Sequence, residues 1–251
     1  LEPGHSVWSL LAYGDQGWSD ELLRGFWLTI QISVCGYLVG FCFGLAGAGM
    51  KLSGNRILYR IGDFYTTIVR ALPELLLLLL LYYAGTDMVK RLLVGLGLAS
   101  EDFQINACAA AVIALGFILG AYMTEVLRGA IQSVPKGQIE AARAYGMHFG
   151  LRFRRVLFPQ MMRYATPGMG NLWLNMTKDS ALIVVLGSLP ELLSATRGAA
   201  AATKHYLFFF SIGALAFLVL TVTSMIVQTL IEKRLSRGSR RRCRPMPELL
   251  D

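Results

Sequence analysis

Five long apolar runs decide what this chain can fold into. A helix crossing the ~30 Å hydrocarbon layer of a bilayer needs about 20 mostly apolar residues. The runs at 25–49, 63–85, 105–127, 165–189 and 207–231 meet that length. With no water in the layer, each segment must satisfy its own backbone groups, which selects helices. The chain therefore reads as an all-α integral membrane protein with five transmembrane helices. Composition agrees: 16% of residues are charged and 55% hydrophobic, against about 25% charged in an ordinary soluble domain. Gly36, Gly40 and Gly44 form two overlapping G-x-x-x-G steps in the first run, and Gly116 and Gly120 form another in the third. Such steps let a second helix approach closely, although ordinary membrane glycine content accounts for those in the first run equally well.

Charge sets the orientation. The formal net charge of +8 invites nucleic-acid binding, but the basic residues flank apolar runs and alternate in density, which argues against it. Lys51, Arg56 and Arg60 follow the first run, and Lys136, Arg143, Arg152, Arg154, Arg155 and Arg163 follow the third. Lys233, Arg234, Arg237, Arg240, Arg241, Arg242 and Arg244 follow the fifth. The other side has Arg24, Lys90, Arg91, Arg197 and Lys204, diluted by Asp15, Asp20, Glu21, Glu101 and Asp102. The positive-inside rule then places the N-terminus outside and the C-terminus in the cytoplasm. Residues 1–24 become an extracytoplasmic segment, 25–232 the transmembrane domain with a cytoplasmic loop at 133–163, and 233–251 a basic tail. Residues 1–20 do not read as a cleaved signal peptide.

The loop at 133–163 carries Glu140-Ala141-Ala142, Gly146 and Val156-Leu157-Phe158-Pro159. Physically this is a short amphipathic helix, a glycine turn, and a second short helix that Pro159 is expected to stop. The alanines permit close approach to a groove, and the Glu140 carboxylate can pair with Arg143 or Arg155 or be offered to a partner. On the spacing alone, a surface helix lying on lipid headgroups is the alternative to a docking element.

Several charges fall in or near the apolar runs: Arg70, Glu74, Glu125, Lys178 and Asp179. A charge at mid-bilayer costs roughly 2.5–3.5 kcal/mol on insertion scales, so these should face the interior or a water path. Asn171, Asn175, Lys178 or Asp179, and Leu182 recur at helical spacing and make a polar stripe on the fourth run. Lining a transport path and pairing among themselves are both open for this stripe; for Glu125 and Arg128, three apart, mutual pairing is expected. Pro73 should interrupt the second run, as a break that exposes backbone groups or as a simple kink.

No enzyme chemistry is evident. Gly44-x-x-x-x-Gly49 continues Met50-Lys51, which is not a phosphate loop. The cysteines and histidines form no metal or disulfide pattern, and no metal site is expected. Lys178-Asp179-Ser180 is the one candidate catalytic set, and adjacent residues on a helix point in different directions.

The chain resembles the permease subunits of polar amino-acid ABC importers, most closely the Q-type subunits of the histidine, lysine–arginine–ornithine and opine uptake group. The resemblance covers about residues 25–237. It rests on Gly47-Ala48-Gly49, Lys51-Leu52-Ser53 and Asn55-Arg56; on Gly116-Phe117-Ile118, Gly120-Ala121-Tyr122 and Thr124-Glu125; and on Val134-Pro135-Lys136-Gly137, Glu140-Ala141-Ala142, Phe153-Arg154-Arg155 and Met161 to Asn171. Val156 and Phe158 replace the family's usual Ile and Leu. The resemblance implies the type I ABC importer permease fold and a bacterial inner-membrane location. It implies that Glu140, Ala141, Ala142, Gly146, Arg155 and Pro159 couple to a cytoplasmic ATPase dimer. It also implies a second, M-type permease and a soluble periplasmic binding protein. ATP and magnesium would belong to the ATPase, with no cofactor on this chain, and basic amino acids or opines are the expected cargo. The competing reading is a channel subunit, which needs no ATPase dock.

Overall fold

The computed structural model describes residues 10–14, 17–98, 100, 105–187 and 189–236. The basic tail beyond Ser236, residues 1–9, and Asp15, Glu101 and Asp102 of the charge argument lie outside the described residues. All regular structure among the described residues is helical. The elements are α1 Ser19–Leu52, α2 Arg56–Ala71, α3 Glu74–Leu80, α4 Thr86–Gly95 and α5 Ala107–Gln132. α6 Lys136–Ala144, α7 Phe149–Arg152, α8 Phe158–Asp179, α9 Leu192–Thr203 and α10 Tyr206–Ser236 complete it. π-helical turns join α3 to α4 and α7 to α8, and a 3₁₀ stretch, Ser180–Leu186, extends α8.

The core is the seam between α1 and α5. Gly36, Gly40, Gly44 and Gly47 are buried on α1, facing Gly116, Gly120 and the small or flexible side chains of α5. A Cβ on Gly40 would lie 3.1 Å from the Gly116 carbonyl oxygen, and one on Gly116 would lie 3.1 Å from that of Gly36. The G-x-x-x-G steps are thus a packing interface. Tyr65 crosses the seam's flank, its hydroxyl donating to the Phe117 carbonyl at 2.6 Å.

Among the described residues, three helices are long and apolar enough to cross a membrane unbroken: Ser19–Leu52, Ala107–Gln132 and Tyr206–Leu235. A fourth span is obtained if Arg56–Ala71 and Glu74–Gly95 are counted together, although they meet at 114°. The predicted second run is therefore divided rather than kinked. Proline has no N–H and disfavours helical geometry in the residue before it, and Leu72 is extended at φ −94°, ψ 149°. The predicted fourth run is displaced. Its helix begins at Phe158, and α-helical geometry ends at Asp179. Arg163, Asn171, Asn175, Lys178 and Asp179 make it too polar to qualify by composition.

α9 folds back on the N-terminal part of α1. The Leu192 N–H donates to Thr29 Oγ1 at 3.1 Å, and Gly25 lets the two backbones touch. Glu191, fully buried between the last two apolar runs, caps α9 by accepting from the Leu193 and Ser194 N–H groups, each at 2.7 Å. Burial pushes its carboxyl up from 4.5 to about 7, outweighing both backbone donors.

Two predictions follow from this packing. Gly116→Val should lower the stability of the purified protein by about 1–3 kcal/mol, the usual cost of overpacking, read as a fall in melting temperature. A carboxyl whose folded pKa is raised stabilises fully below its unfolded value, and the contribution is lost as pH rises through the folded one. Thermal stability should therefore decline between pH 4.5 and about 7, and Glu191→Gln should remove that part of the slope.

Candidate functional site

α6 and the α7–α8 junction form a helical hairpin at the end of α5. α6 ends in two backbone bonds around a left-handed glycine. The Gly146 N–H donates to Arg143 at 2.9 Å and the Met147 N–H to Ala142 at 3.1 Å, with Gly146 at φ +73°. This is a Schellman closure, which strongly favours glycine at that position. Gln160 Nε2 donates to Gln138 Oε1 at 2.7 Å and ties the two arms together. Ala142 is buried against the hairpin, whereas Glu140, Ala141 and Arg155 are exposed. Among the described residues, Glu140 is in no ion pair, so its carboxylate is presented outward.

Pro159 does not stop the second helix, contrary to the sequence expectation. α7, the π turn Phe153–Leu157 and α8 run on as one helical path. Proline is tolerated in the first turn of a helix, and Pro159 sits there in α8, just after the Phe158 N–H reaches back to the Phe153 carbonyl. The sequence reading also missed an aromatic ladder, Phe149 to Phe153 at 6.4 Å and Phe153 to Phe158 at 6.0 Å. Tyr145, at the turn, is 85% exposed. A search for aromatic residues at i, i+4 spacing across 149 and 153 would have found its first step.

A second polar group lies between α3, α5 and α8. Glu74, Tyr122, Asn175 and Asp179 line a small cleft, with Leu172 and Leu182 among its apolar walls. Arg70 joins indirectly, its guanidinium carbon 5.6 Å from the centre of the Tyr122 ring. Asn171 and Lys178 do not line the cleft; both are exposed on α8. The structure thus divides the predicted stripe. Asp179, half-buried, and Asn175, still exposed, border the cleft together with Glu74, which follows the Pro73 break.

A third cluster joins α1, α2 and α5. Lys51 Nζ donates to Asp63 Oδ1 at 2.9 Å, Thr66 Oγ1 at 2.7 Å and Glu125 Oε1 at 2.6 Å. Arg128 holds the other Glu125 oxygen at 2.8 Å and reaches Gln132 at 3.1 Å. The pairing expected of Glu125 and Arg128 is present. Lys51, its side chain 5% exposed, is the hub that the sequence did not disclose.

Two glycine-seamed apolar helices, a polar cleft and an exposed capped hairpin make up an all-helical membrane-protein architecture. The chain belongs to the family described as binding-protein-dependent transport system inner membrane components, which matches residues 40–237. It is 41% identical over 225 residues to the histidine/lysine/arginine/ornithine transport system permease protein HisQ of Salmonella typhimurium, covering 90% of this chain and 97% of that one. It is 40% identical over 232 residues to the nopaline transport system permease protein NocQ of Agrobacterium fabrum, covering 92% and 98%. A solved amino acid ABC transporter with histidines superposes with a TM-score of 0.73 at 29% identity, over 86% of this chain and 95% of that one. The inward-facing MetNI methionine transporter, at 20% identity, shares the fold with a TM-score of 0.68, over 86% and 97%.

Lys51→Met should cost about 1–3 kcal/mol, because Asp63 and Glu125 lose their shared buried donor while Glu125 keeps Arg128 and Asp63 stays half exposed. In a double-mutant cycle, Glu125→Gln should recover part of that loss, measured as thermal stability of the purified protein.

Proposed function

We propose that this chain forms half of the translocation path of an ATP-driven importer for polar, basic amino acids or opines. The supporting observation is the hairpin at 136–158. It is internally closed at both ends, rooted beside the Lys51 cluster, and presents Glu140 and Ala141 outward. An ATPase dimer would dock there, contacting Glu140, Ala141 and Arg155, while Gly146 and Pro159 preserve the hairpin's shape. The printed cargoes of the relatives support the substrate class.

In this reading the chain spans a bacterial inner membrane five times, N-terminus out and C-terminus in. The bent pair α2 to α4 and the polar helix α8 would supply the second and fourth spans. α8 tolerates its polar groups because they face a path shared with a second, M-type permease. Glu74 and Asp179 would receive the cationic end of a substrate, with Asn175 and Tyr122 offering hydrogen bonds. Arg70, Lys178 and Asn171 would line the path further along. A periplasmic binding protein would deliver the cargo. ATP binding would close the ATPase dimer and open the path outward, and hydrolysis would return it inward.

The test is ATP hydrolysis by the assembled transporter in proteoliposomes. Ligand-loaded binding protein should stimulate it severalfold in wild type and not in Glu140→Lys, provided the variant still assembles. Asp179→Asn should leave hydrolysis coupled but cut uptake at least tenfold. Absence of a copurifying ATPase and of any stimulation would instead support a channel subunit.

A further inference from the structure

We propose that the cleft between α8 and α10 binds an anionic glycerophospholipid, with an acyl chain between the helices and the phosphate at the end where α8 begins and α10 ends. The cleft encloses about 470 Å³ and is lined mainly by apolar groups, among them Met169, Trp173, Val227 and Ile231. Its walls are held in place. Trp173 Nε1 donates to Ser224 Oγ at 3.0 Å, and the Tyr37 hydroxyl donates to the Met169 carbonyl at 3.0 Å. The Tyr37 and Trp173 rings meet edge-on at 5.5 Å.

Most polar side chains on these walls are already engaged. Thr166 donates to the Met162 carbonyl at 2.6 Å, and Gln228 donates to Glu232 at 2.9 Å. What remains is a slot that suits an alkyl chain and offers little to a polar solute. α10 carries exposed Val219, Val222, Met225, Ile226 and Leu230 as well as its cleft-facing residues. An apolar surface on more than one face is that of a helix bordered by lipid.

Charge decides the headgroup. The Trp173–Ser224 bond and the contact of Gly170 with Gln228 set the helices antiparallel, so Met162 and Leu235 lie at the same end of the cleft. Arg163 stands three residues before Thr166 and seven before Gly170, on the cleft side of α8. Arg234 stands three after Ile231 and seven after Val227, on the cleft side of α10. Both are exposed. An arginine from each wall makes a bidentate grip for phosphate oxygens, and basic pockets between helices at the cytoplasmic surface suit anionic lipids. Glu232, the neighbouring acid on α10, is engaged by Gln228.

The choice of leaflet rests on the C-in orientation proposed above. The experiment uses the assembled transporter in vesicles of a zwitterionic lipid doped with a diazirine-tailed lipid, phosphatidylglycerol in one arm and phosphatidylcholine in the other. Adducts are mapped by peptide mass spectrometry. The phosphatidylglycerol probe should label 162–173 and 223–235 severalfold more than the phosphatidylcholine probe. Arg163→Gln with Arg234→Gln should abolish the excess, and Val227→Trp, which fills the slot, should abolish labelling by both. Equal labelling by both headgroups would overturn the site and leave only bulk lipid. Absence of lipid adducts, or cross-links to another protein there, would equally overturn it. Stimulated ATP hydrolysis is measured in the same vesicles, so failure of the importer reading would appear as lost stimulation with labelling intact.

Discussion

The close approach of the α1 and α5 backbones is the constraint on which the rest of the molecule depends. In lipid, two apolar helices gain nothing from hiding surface from water, so association must come from packing and hydrogen bonds. Glycine at four levels of α1, and at two of α5, removes the side chains that would hold the axes apart. Thr124, beside the seam, returns its hydroxyl to the Gly120 carbonyl at 2.8 Å, so the interface carries no unpaired donor there. The register that nests Gly40 against Gly116 also brings Lys51 beside Glu125. A buried ammonium is tolerable only where its partners are fixed in place, and the seam fixes them. The ion cluster is therefore a consequence of the glycine register as well as a support for it.

From that anchored end the structure becomes a lever. Arg128 and Gln132 connect the cluster to the last turn of α5, and the hairpin leaves directly after it. Its returning arm is helical from Phe149 through the π turn into α8 and on to Leu186, with Pro167 inside α8. The 22 residues of α8 alone extend about 33 Å at 1.5 Å per residue. Displacement of the hairpin tip would therefore reach Asn175 and Asp179 through a single continuous element. The Schellman turn at Gly146 and the Gln138–Gln160 bond brace the tip.

What could be read in the sequence were features whose physics is local. Gly146 was legible because a left-handed turn strongly favours glycine, and the G-x-x-x-G steps because spacing alone gives their face. Pro73 announced a break, but the 114° between its flanking helices depends on what each packs against. Pro159 misled for the same reason: whether a proline stops a helix or opens one depends on the turn before it. Lys51 and Glu125 are distant in sequence, so no periodicity links them. Lys178 and Asp179 are adjacent, hence about 100° apart around the helix axis, and only the packing of α8 against α3 and α5 chooses which one faces the cleft.

That choice gives the two polar clusters opposite characters. Around Lys51 each charge is matched, and the arrangement leaves nothing for a passing ion. In the cleft, Glu74 and Asp179 are brought together from different helices, and among the described residues neither is in an ion pair. Two carboxylates sharing a confined space repel each other unless a cation or a proton joins them. A fold assembled for stability alone would pair them off, as it does Glu125. On the importer reading proposed above, two carboxylates outside any ion pair suit a site that a cationic solute occupies briefly and must also leave, since a permeation site must attract its cargo without trapping it.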